Sequence, residues 1–369
     1  MPKAERRRSA AIEVGPNVVR LLVAEFRTGR DGRLALRQLE QRVKLLDAIP
    51  GSMPGEPPGR VPALDEASIA ALVAQVVKYV AAAMRAGAGP LIALAGPLGT
   101  SSVDAGPAGA PAGPVAELAD ALEEAVGLPA RVLTARRQAE LAFLGVRGSL
   151  EPRGPQLIID AGETATHLII CDGRERETLA SVPVGAAGLA AALPGDPPSV
   201  LEWALEAISL GRLLAALPEA TPALAWATGA SAHTLVGLEG QREPGLATRL
   251  SLADLGRIAD ELLHTSARKL ARRSGEEPRR VGQLAPAALI LAAFLRRYEL
   301  EWCTVLPAGL RDGIVLAEEA QPEAWWRDAP TEAAPPAAAD PGTAADAASA
   351  TPAAAAPTTS AFDEAAGPA

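Results

Sequence analysis

The chain has 369 residues, and its 35 Lys and Arg residues against 44 Asp and Glu residues give a formal net charge of −9. This acidic balance disfavours a general nucleic-acid binder and a protein held on a membrane surface by a polybasic segment, because both use a basic field. Apolar residues make up 49% of the chain but aromatic residues only 3%, so we expect a core of Leu, Val, Ile and Ala.

Neither the cysteines nor the apolar runs point to secretion or to a membrane. Cys171 and Cys303 lie too far apart in the sequence for a dense disulfide framework, which favours a reducing compartment. Glu13 and Asn17 interrupt the first apolar stretch, and runs such as Leu284–Leu295 are shorter than the ~20 residues of a spanning helix. We expect a soluble, cytoplasmic protein with no membrane or nucleic-acid partner.

The first half of the chain is predicted to open with a hairpin and a third strand, followed by helices and one more strand. Asp65 can cap a helix whose apolar positions follow the 3.6-residue period, and Gly87 can end it. The other predicted elements are the strands Ala11–Ile12, Val18–Val23, Leu34–Leu46 and Leu91–Ala95, the helix Val115–Val126, and the loops Pro50–Pro62 and Gly106–Gly113.

The second half repeats the strand-turn-strand unit with which the chain begins. Ser251 and Asp254 have the spacing of an N-cap and its reciprocal acidic partner. The predicted elements, in chain order, are the strand Arg131–Thr134, the helix Arg136–Val146, the strands Gln156–Asp160 and Thr166–Cys171, the helix Ser199–Leu217, the strand Leu224–Ala227, the helices Ser251–Arg273 and Gln283–Tyr298, and the strand Trp302–Leu306.

These elements predict two related α/β domains, residues 9–130 and 131–320, that face a cleft. In such a cleft, paired hairpin turns can hold phosphate groups through their backbone N–H groups. Residues 321–369 are rich in Ala and Pro and have almost no large apolar residue, so this tail is predicted to be disordered. For Trp325 and Trp326 we expect a segment packed on the body of the protein.

Six segments carry a family resemblance when they are taken in order: Ala11–Leu22, Gly127–Val146, Leu157–Gly162, Ser181–Ala186, Thr228–Ala230 and Gly309–Gly313. They resemble the exopolyphosphatase and guanosine pentaphosphate phosphohydrolase (Ppx/GppA phosphatase) family. The resemblance implies a two-domain α/β fold of the actin-like and sugar-kinase-like (ribonuclease H-like) type with an interdomain cleft. It also implies removal of the terminal phosphate from polyphosphate or guanosine pentaphosphate, with Mg²⁺ as cofactor and a glutamate that activates water. Members of the family often form dimers, so a homodimer is a candidate assembly.

The resemblance also assigns roles to individual residues. The predicted catalytic positions are Gln138, which stands where the family has its glutamate, and Glu13, and the predicted metal ligand is Asp160. The predicted phosphate-binding residues are Gly15, Asn17, Arg20, Gly162, Thr164, Thr166, Gly229 and Ser231. For Arg20, an exposed position on its strand is the alternative.

Several residues depart from the family's pattern where the anion would be handled. The Gln138 amide cannot accept a proton at neutral pH, so general-base help of ~10²–10⁴-fold would be missing. Pro16 has no N–H. Glu163 replaces a glycine, and like charges ~4 Å apart repel by about 4 kcal/mol at an effective dielectric of ~20. The segment Leu94–Thr100 lacks the family's arginine. His167 replaces an acidic residue, and we expect it to be a strand residue with a satisfied imidazole.

Because the scaffold segments match and the anion-handling residues do not, the sequence favours a family member with weak or no hydrolysis that binds phosphate or nucleotide or regulates. Arg136 and Arg137 at a helix start offer an anion site, with a solvated helix face as the alternative. A second hypothesis is an active phosphohydrolase with Glu13, Glu163 or Glu140 as its base, although Glu140 lies roughly 200° around the helix from the family position. A third is a structural or assembly protein with an empty cleft.

Overall fold

Among the residues that the structure describes, eleven strands form two mixed β-sheets. The computed structural model describes residues 7–28, 34–46, 64–96, 98, 113–193, 195–238, 247–322 and 324–328, and the chain through Asp328 is one compact unit. The predicted loop Pro50–Pro62, nearly all of the loop Gly106–Gly113, and the tail beyond Asp328 lie outside the described residues.

The first sheet has the strand order β3-β2-β1-β4-β5. Its strands are β1 (Arg8–Val14), β2 (Val18–Thr28), β3 (Leu34–Leu45), β4 (Gly89–Leu94) and β5 (Ala130–Val132). β1, β2 and β3 form an antiparallel meander, and β4 lies parallel to β1 and to β5. The strand predicted at Arg131–Thr134 is β5, so the predicted domain boundary near residue 130 falls within this sheet.

The second sheet repeats this topology in the order β10-β11-β9-β6-β7-β8. β6, β7 and β8 form an antiparallel meander, and β9 lies parallel to β6 and to β11. The strands are β6 (Pro155–Ala161), β7 (Thr166–Asp172), β8 (Glu175–Val182), β9 (Leu224–Thr228), β10 (Thr248–Ser251) and β11 (Trp302–Val305). The predicted recurrence of the strand-turn-strand unit is therefore confirmed.

Helices cover both sheets. In chain order they are α1 (Glu66–Arg85), α2 (Pro114–Val126), α3 (Ala135–Val146), α4 (Ala186–Ala191), α5 (Val200–Ala215), α6 (Ala230–Leu238), α7 (Leu252–His264), α8 (Ala267–Ser274), α9 (Pro278–Gly282), α10 (Leu284–Arg297) and α11 (Leu310–Ala320). α10 is the central helix of the second core, where nearly all of its apolar residues are buried.

The first sheet has a separate core on each face, since successive side chains of a strand point to opposite sides. Ile12 packs with α1 and α2 on one side, whereas the neighbouring Ala11 packs with α3 and α11 on the other. α3 and α11 approach so closely that a Cβ on Gly313 would lie 1.7 Å from the carbonyl oxygen of Leu141. Glycine is therefore required at this helix crossing, which brings α11 onto the first sheet.

α1 begins as predicted, because the Asp65 side chain accepts a hydrogen bond from the Ser68 N–H. This helix is long and apolar enough to cross a membrane by length and composition. However, Leu72, Val76 and Ala83 are fully buried in the first core. The helix is thus accounted for by its packing on the sheet.

The single helix predicted at Ser251–Arg273 is wrong, because the structure divides it into α7 and α8. Thr265 adopts an extended conformation at the end of α7, and the Ser266 side chain then accepts a hydrogen bond from the Lys269 N–H as the N-cap of α8. Hydroxyl side chains favour such caps over helix interiors. The capping box of Ser251 and Asp254 is confirmed.

The packed part of the chain extends beyond the predicted limit at residue 320. Trp325 is only 3% exposed and belongs to the core between the first sheet and α11. The Arg137 guanidinium donates to the Trp325 carbonyl at 2.9 Å, and Arg131 stacks over the Trp326 ring at 3.8 Å. The expectation that the two tryptophans anchor this segment is confirmed.

Candidate functional site

A cavity of about 90 Å³ lies where the turn after β1 faces the turn after β6. These two turns line it together with the residues after β4, the loop from β9 into α6, and the segment before α11. β1 and β4 are parallel, as are β6 and β9. The cavity therefore lies at the carboxyl ends of parallel strands from both sheets, which is where α/β folds bind their ligands.

Each hairpin presents one acidic and one basic side chain to the cavity at equivalent places. Glu13 on β1 is opposite Arg20 on β2, and Asp160 on β6 is opposite His167 on β7. Side chains directly opposite each other in antiparallel strands lie on the same face of the sheet. The register thus brings all four side chains into the lining. The two sheets therefore repeat not only their topology but also the pairing of an acidic with a basic side chain at the cavity.

Arg20 joins the two turns through short salt bridges. Its guanidinium donates to Glu13 at 2.7 Å and to Glu163 at 2.5 Å, and the residue is only 8% exposed. Burial alone would lower the pKa of Arg20, but the two carboxylates outweigh it and raise this pKa above its ordinary value. Arg20 faces the cavity, as the resemblance implies, but its charge is already compensated by the protein.

Three buried polar atoms of the lining have no hydrogen-bond partner. Among the described residues, four buried side-chain nitrogen or oxygen atoms lack one, and these include Arg20 Nε, Arg311 Nη1 and His167 Nδ1. All three residues line the cavity. Buried polar groups are nearly always satisfied by protein, water or ligand. These three atoms therefore mark a place suited to a bound polar group.

The side-chain carboxyl of Asp160 makes no salt bridge or hydrogen bond to a described residue. Burial raises the pKa of its carboxyl to about 7, and nearby Glu13 adds to this while Arg20 opposes it. At neutral pH, Asp160 is therefore protonated in about half of the molecules. The other carboxylates of the lining have such partners: Glu13 and Glu163 pair with Arg20, and Asp312 accepts hydrogen bonds from Gln38 and Gly309.

His167 is a strand residue, as predicted, but its imidazole is not satisfied. Loss of hydration on burial lowers the pKa of His167 to about 4, so the ring is neutral at physiological pH. The expected hydrogen bond is missing at Nδ1, because the facing Asp160 does not bond to the ring. This corrects the expectation of a self-contained structural histidine.

The Gln138 amide is held by backbone groups at both ends. Its oxygen accepts from the Gly96 N–H at 2.9 Å, and its nitrogen donates to the Leu133 carbonyl at 2.9 Å. Gly96 has a φ of 65°, which favours glycine. A carboxylate here could accept the first bond but could not donate the second. The glutamine thus fastens α3 to the turn after β4.

Three of the glycine N–H groups that border the cavity are used within the protein. Those of Gly15 and Gly162 donate to carbonyls of their own turns at 2.8 and 3.0 Å, and that of Gly309 donates to Asp312 at 2.9 Å. Pro16 has no N–H to offer. The two turns keep their tight shape, but these amides do not point freely toward an anion.

Glu140 is engaged elsewhere, as its position on the helix predicted. Its carboxylate pairs with Arg136 at 3.0 Å, Arg137 at 3.1 Å and Arg176 at 3.3 Å, and it does not line the cavity. The first two arginines lie four and three residues before it, on the same side of the helix. The structure therefore does not support Glu140 as a base or Arg136 and Arg137 as an anion site.

The structure brings most of the predicted site residues into one lining: Glu13, Gly15, Arg20, Gln138, Asp160, Gly162, Thr164, Gly229 and Ser231. Asn17 and Thr166 are not part of it. The Thr166 hydroxyl is buried and donates to the Val184 carbonyl at 2.7 Å, which turns it away. His167 and Arg311 also line the cavity, although the sequence did not predict it. A comparison of the second hairpin with the first, in which Glu13 faces Arg20, would have placed His167 opposite Asp160.

The lining does not fit the Mg²⁺ site that the resemblance implies. Glu13 binds Arg20, and Arg311 approaches its other oxygen at 3.6 Å. Arg20 also binds Glu163, and Gln38 donates to Asp312, which leaves Asp160 as the lining carboxylate without a partner among the described residues, and its pKa is raised to about 7. Within the described ranges, no group of three His, Cys, Asp or Glu side chains could hold a metal ion.

A family model and a sequence relative match this chain. The model of the Ppx/GppA phosphatase family matches residues 115–321, which is more than half of the chain. An uncharacterized protein of Streptomyces coelicolor is 28% identical over 346 residues, which cover 89% of this chain and 96% of that protein.

Two solved structures are similar in fold. The PPX-GPPA enzyme of Aquifex aeolicus is 21% identical, with a TM-score of 0.66 over 85% of this chain and 100% of that one. An exopolyphosphatase of Cytophaga hutchinsonii is 17% identical, with a TM-score of 0.69 over 84% of this chain and 97% of that one. The predicted fold class is confirmed, and the chain belongs to the Ppx/GppA phosphatase family.

Proposed function

We propose that this protein binds a small oxyanion, such as phosphate or a terminal phosphate group, in the cavity without hydrolysing polyphosphate or guanosine pentaphosphate. The observation that carries this proposal is the Gln138 amide. The resemblance places this amide at the position of the family's glutamate, and the backbone fixes it on both sides. A water molecule therefore has no proton acceptor at that position.

The charges of the lining support a small ligand over a long polyanion. Glu13, Asp160, Glu163 and Asp312 line the cavity against two arginines, Arg20 and Arg311. A chain of phosphates would bring many negative charges to these carboxylates, whereas their repulsion of one oxyanion is much smaller.

Binding is favoured over an empty cleft by the unsatisfied donors. Arg20 Nε and Arg311 Nη1 can both donate to an oxyanion, and burial strengthens hydrogen bonds of this charged kind. We expect such binding to weaken as the pH rises through about 7, because Asp160 then becomes charged. We also propose that this binding has a regulatory role and takes place in the cytoplasm. The free thiols of Cys171 and Cys303 support a reducing compartment.

One observation favours a second function, an active hydrolase with Asp160 as its base. Its pKa of about 7 is well matched to proton transfer at neutral pH, and it lines the cavity. In this alternative the catalytic carboxylate moves from α3 to the end of β6.

Measurements of phosphate release and of anion binding separate these functions. With Mg²⁺ and long-chain polyphosphate or guanosine pentaphosphate, we expect no release above the buffer blank, and the Cytophaga hutchinsonii exopolyphosphatase serves as the positive control. Turnover that disappears in Asp160→Asn would establish the second function instead.

Binding is measured by calorimetry with phosphate and with sulfate, whose charge is constant between pH 6 and 8. We expect stronger sulfate binding at pH 6 and loss of binding in Arg311→Met. Arg273→Met is the matched control, because the Arg273 side chain is 63% exposed and does not line the cavity. Absence of heat with both anions contradicts the proposal.

A further inference from the structure

The cavity contains both donors and acceptors that have no hydrogen-bond partner among the described residues. The donors include Arg20 Nε and Arg311 Nη1. The acceptor is the carboxyl of Asp160, which makes no hydrogen bond or salt bridge within the described part of the chain. A fully deprotonated oxyanion has only acceptor oxygens, so it can satisfy the two arginines but not the carboxylate. The lining as a whole therefore suits a ligand that accepts and also donates a hydrogen bond.

The carboxyl of Asp160 is open to the cavity. The residue is 8% exposed and belongs to the lining. Its oxygens make no hydrogen bond, yet they are not among the fully enclosed polar atoms without a partner, so the cavity gives access to them. A Cβ on Gly229 would lie 3.1 Å from Asp160 Oδ1. The glycine thus leaves one side of the carboxyl uncovered, where a ligand can approach it.

The groups around Asp160 do not neutralise its charge. Burial raises the pKa of Asp160, Glu13 on β1 adds to this, and Arg20 on β2 opposes it. The guanidinium of Arg20 is already shared between Glu13 and Glu163. His167 on β7, directly opposite Asp160, is neutral at physiological pH and offers one further acceptor nitrogen. At pH 8, Asp160 is therefore a mostly ionised acceptor without a cation of its own.

We propose that the cavity selects an oxyanion that carries its own proton, so that its ligand is inorganic phosphate in preference to sulfate or to the terminal phosphate group of a chain. The proposal rests on the function proposed above, oxyanion binding in this cavity, and names the ligand. Oxygens of the phosphate accept hydrogen bonds from Arg20 and Arg311, and its P–OH group donates to the carboxylate of Asp160. Every donor and acceptor in this set is then satisfied.

The competing ligands differ in this proton at pH 8. Inorganic phosphate is then mainly the doubly charged hydrogen phosphate ion, which keeps one P–OH group. Sulfate has the same charge and the same tetrahedral shape but no proton. A phosphate ester loses its last proton with a pKa of about 6, so it has none at pH 8 either. Sulfate and the ester therefore set a charged oxygen against the carboxylate of Asp160, which is repulsive, where hydrogen phosphate forms a charged hydrogen bond.

Calorimetry of the full chain at pH 8 tests the selection with phosphate and sulfate, two ligands of equal charge. We expect phosphate to bind about a hundredfold more tightly, because sulfate leaves the carboxylate without a donor. Arsenate, which also keeps an O–H group at this pH, should bind like phosphate, and methyl phosphate should bind like sulfate. Equal affinities for phosphate and sulfate would overturn the selection and leave oxyanion binding standing, whereas binding of neither would refute both proposals.

Asp160→Asn tests whether this residue makes the selection. Its amide is uncharged and can donate to either anion, so sulfate binding at pH 8 should strengthen roughly tenfold or more, and the preference for phosphate should largely disappear. A gain of sulfate binding cannot result from loss of folding. Asp120→Asn on α2 is the matched control, because Asp120 is exposed and does not line the cavity, and it should keep the wild-type preference. An unchanged preference in Asp160→Asn would contradict the proposal.

Discussion

Replacing Asp160 by asparagine should stabilise the protein, and by more at higher pH. In the folded protein, burial raises the pKa of Asp160 to about 7 from an ordinary value of 3.8. Between these two pH values, the folded state holds a proton that the unfolded state has released. The contribution of Asp160 to stability is therefore greatest below pH 3.8 and is lost as the pH rises through about 7. Asparagine has no such titration.

The size of the effect follows from the two pKa values. A difference of about 3 pH units corresponds to about 4 kcal/mol between the low-pH and high-pH limits. Part of this is already lost at pH 5, so a change of about 2–3 kcal/mol remains within the window from pH 5 to pH 8. Over that window, the free energy of unfolding of Asp160→Asn relative to wild type should rise by this amount.

Urea unfolding at pH 5, 6, 7 and 8 measures this difference. Asp120→Asn on α2 is the control, because Asp120 is exposed to solvent and its replacement removes a hydrated carboxylate rather than a buried one. The free energy of unfolding of Asp160→Asn relative to wild type could instead stay constant over this range or fall as the pH rises. Either result would contradict a raised pKa of the buried Asp160 carboxyl in the folded protein.

Three other substitutions test the contacts around the cavity and at the end of the chain. Gln138→Glu should lower the free energy of unfolding by about 1–3 kcal/mol, because the Leu133 carbonyl loses its donor. An unchanged urea midpoint would contradict a stabilising role for the Gln138 amide. Arg20→Met should lower the free energy of unfolding by about 3–5 kcal/mol at pH 7, because it leaves the Glu163 carboxylate without its counter-ion. A smaller decrease at pH 4 would confirm that the effect is electrostatic. Trp325→Ala should cost about 3–5 kcal/mol in the same assay, whereas a neutral effect would mean that the terminal segment is not part of the core.

The strongly periodic elements of the fold were predictable from the sequence. The α1 repeat of buried apolar residues and the Asp65 cap locate that helix almost to the residue. In contrast, β8 at Glu175–Val182 was missed, because it is a polar strand at the edge of its sheet without the usual apolar alternation. The six-residue helix α4 is too short to show a period.

For the site, the sequence located the two turns but not their internal contacts. Glu163 was predicted to repel phosphate, and it does line the cavity. Its salt bridge with Arg20 joins residues 143 positions apart, and no local pattern reveals such a contact. The same holds for Gln138, which the resemblance placed at the position of the family's glutamate and whose two backbone partners emerge only from tertiary packing.

The late position of Trp325 has a consequence for how the protein is synthesised. One face of the first sheet is covered by α3, α11 and this tryptophan, and the Thr134 hydroxyl at the start of α3 donates to Asp328 at 2.5 Å. A fragment that stops near residue 130 would leave this face bare to water. The amino-terminal half should therefore aggregate when it is expressed alone, and a nascent chain on the ribosome cannot cover this face of its first sheet until the residues through Asp328 have been synthesised.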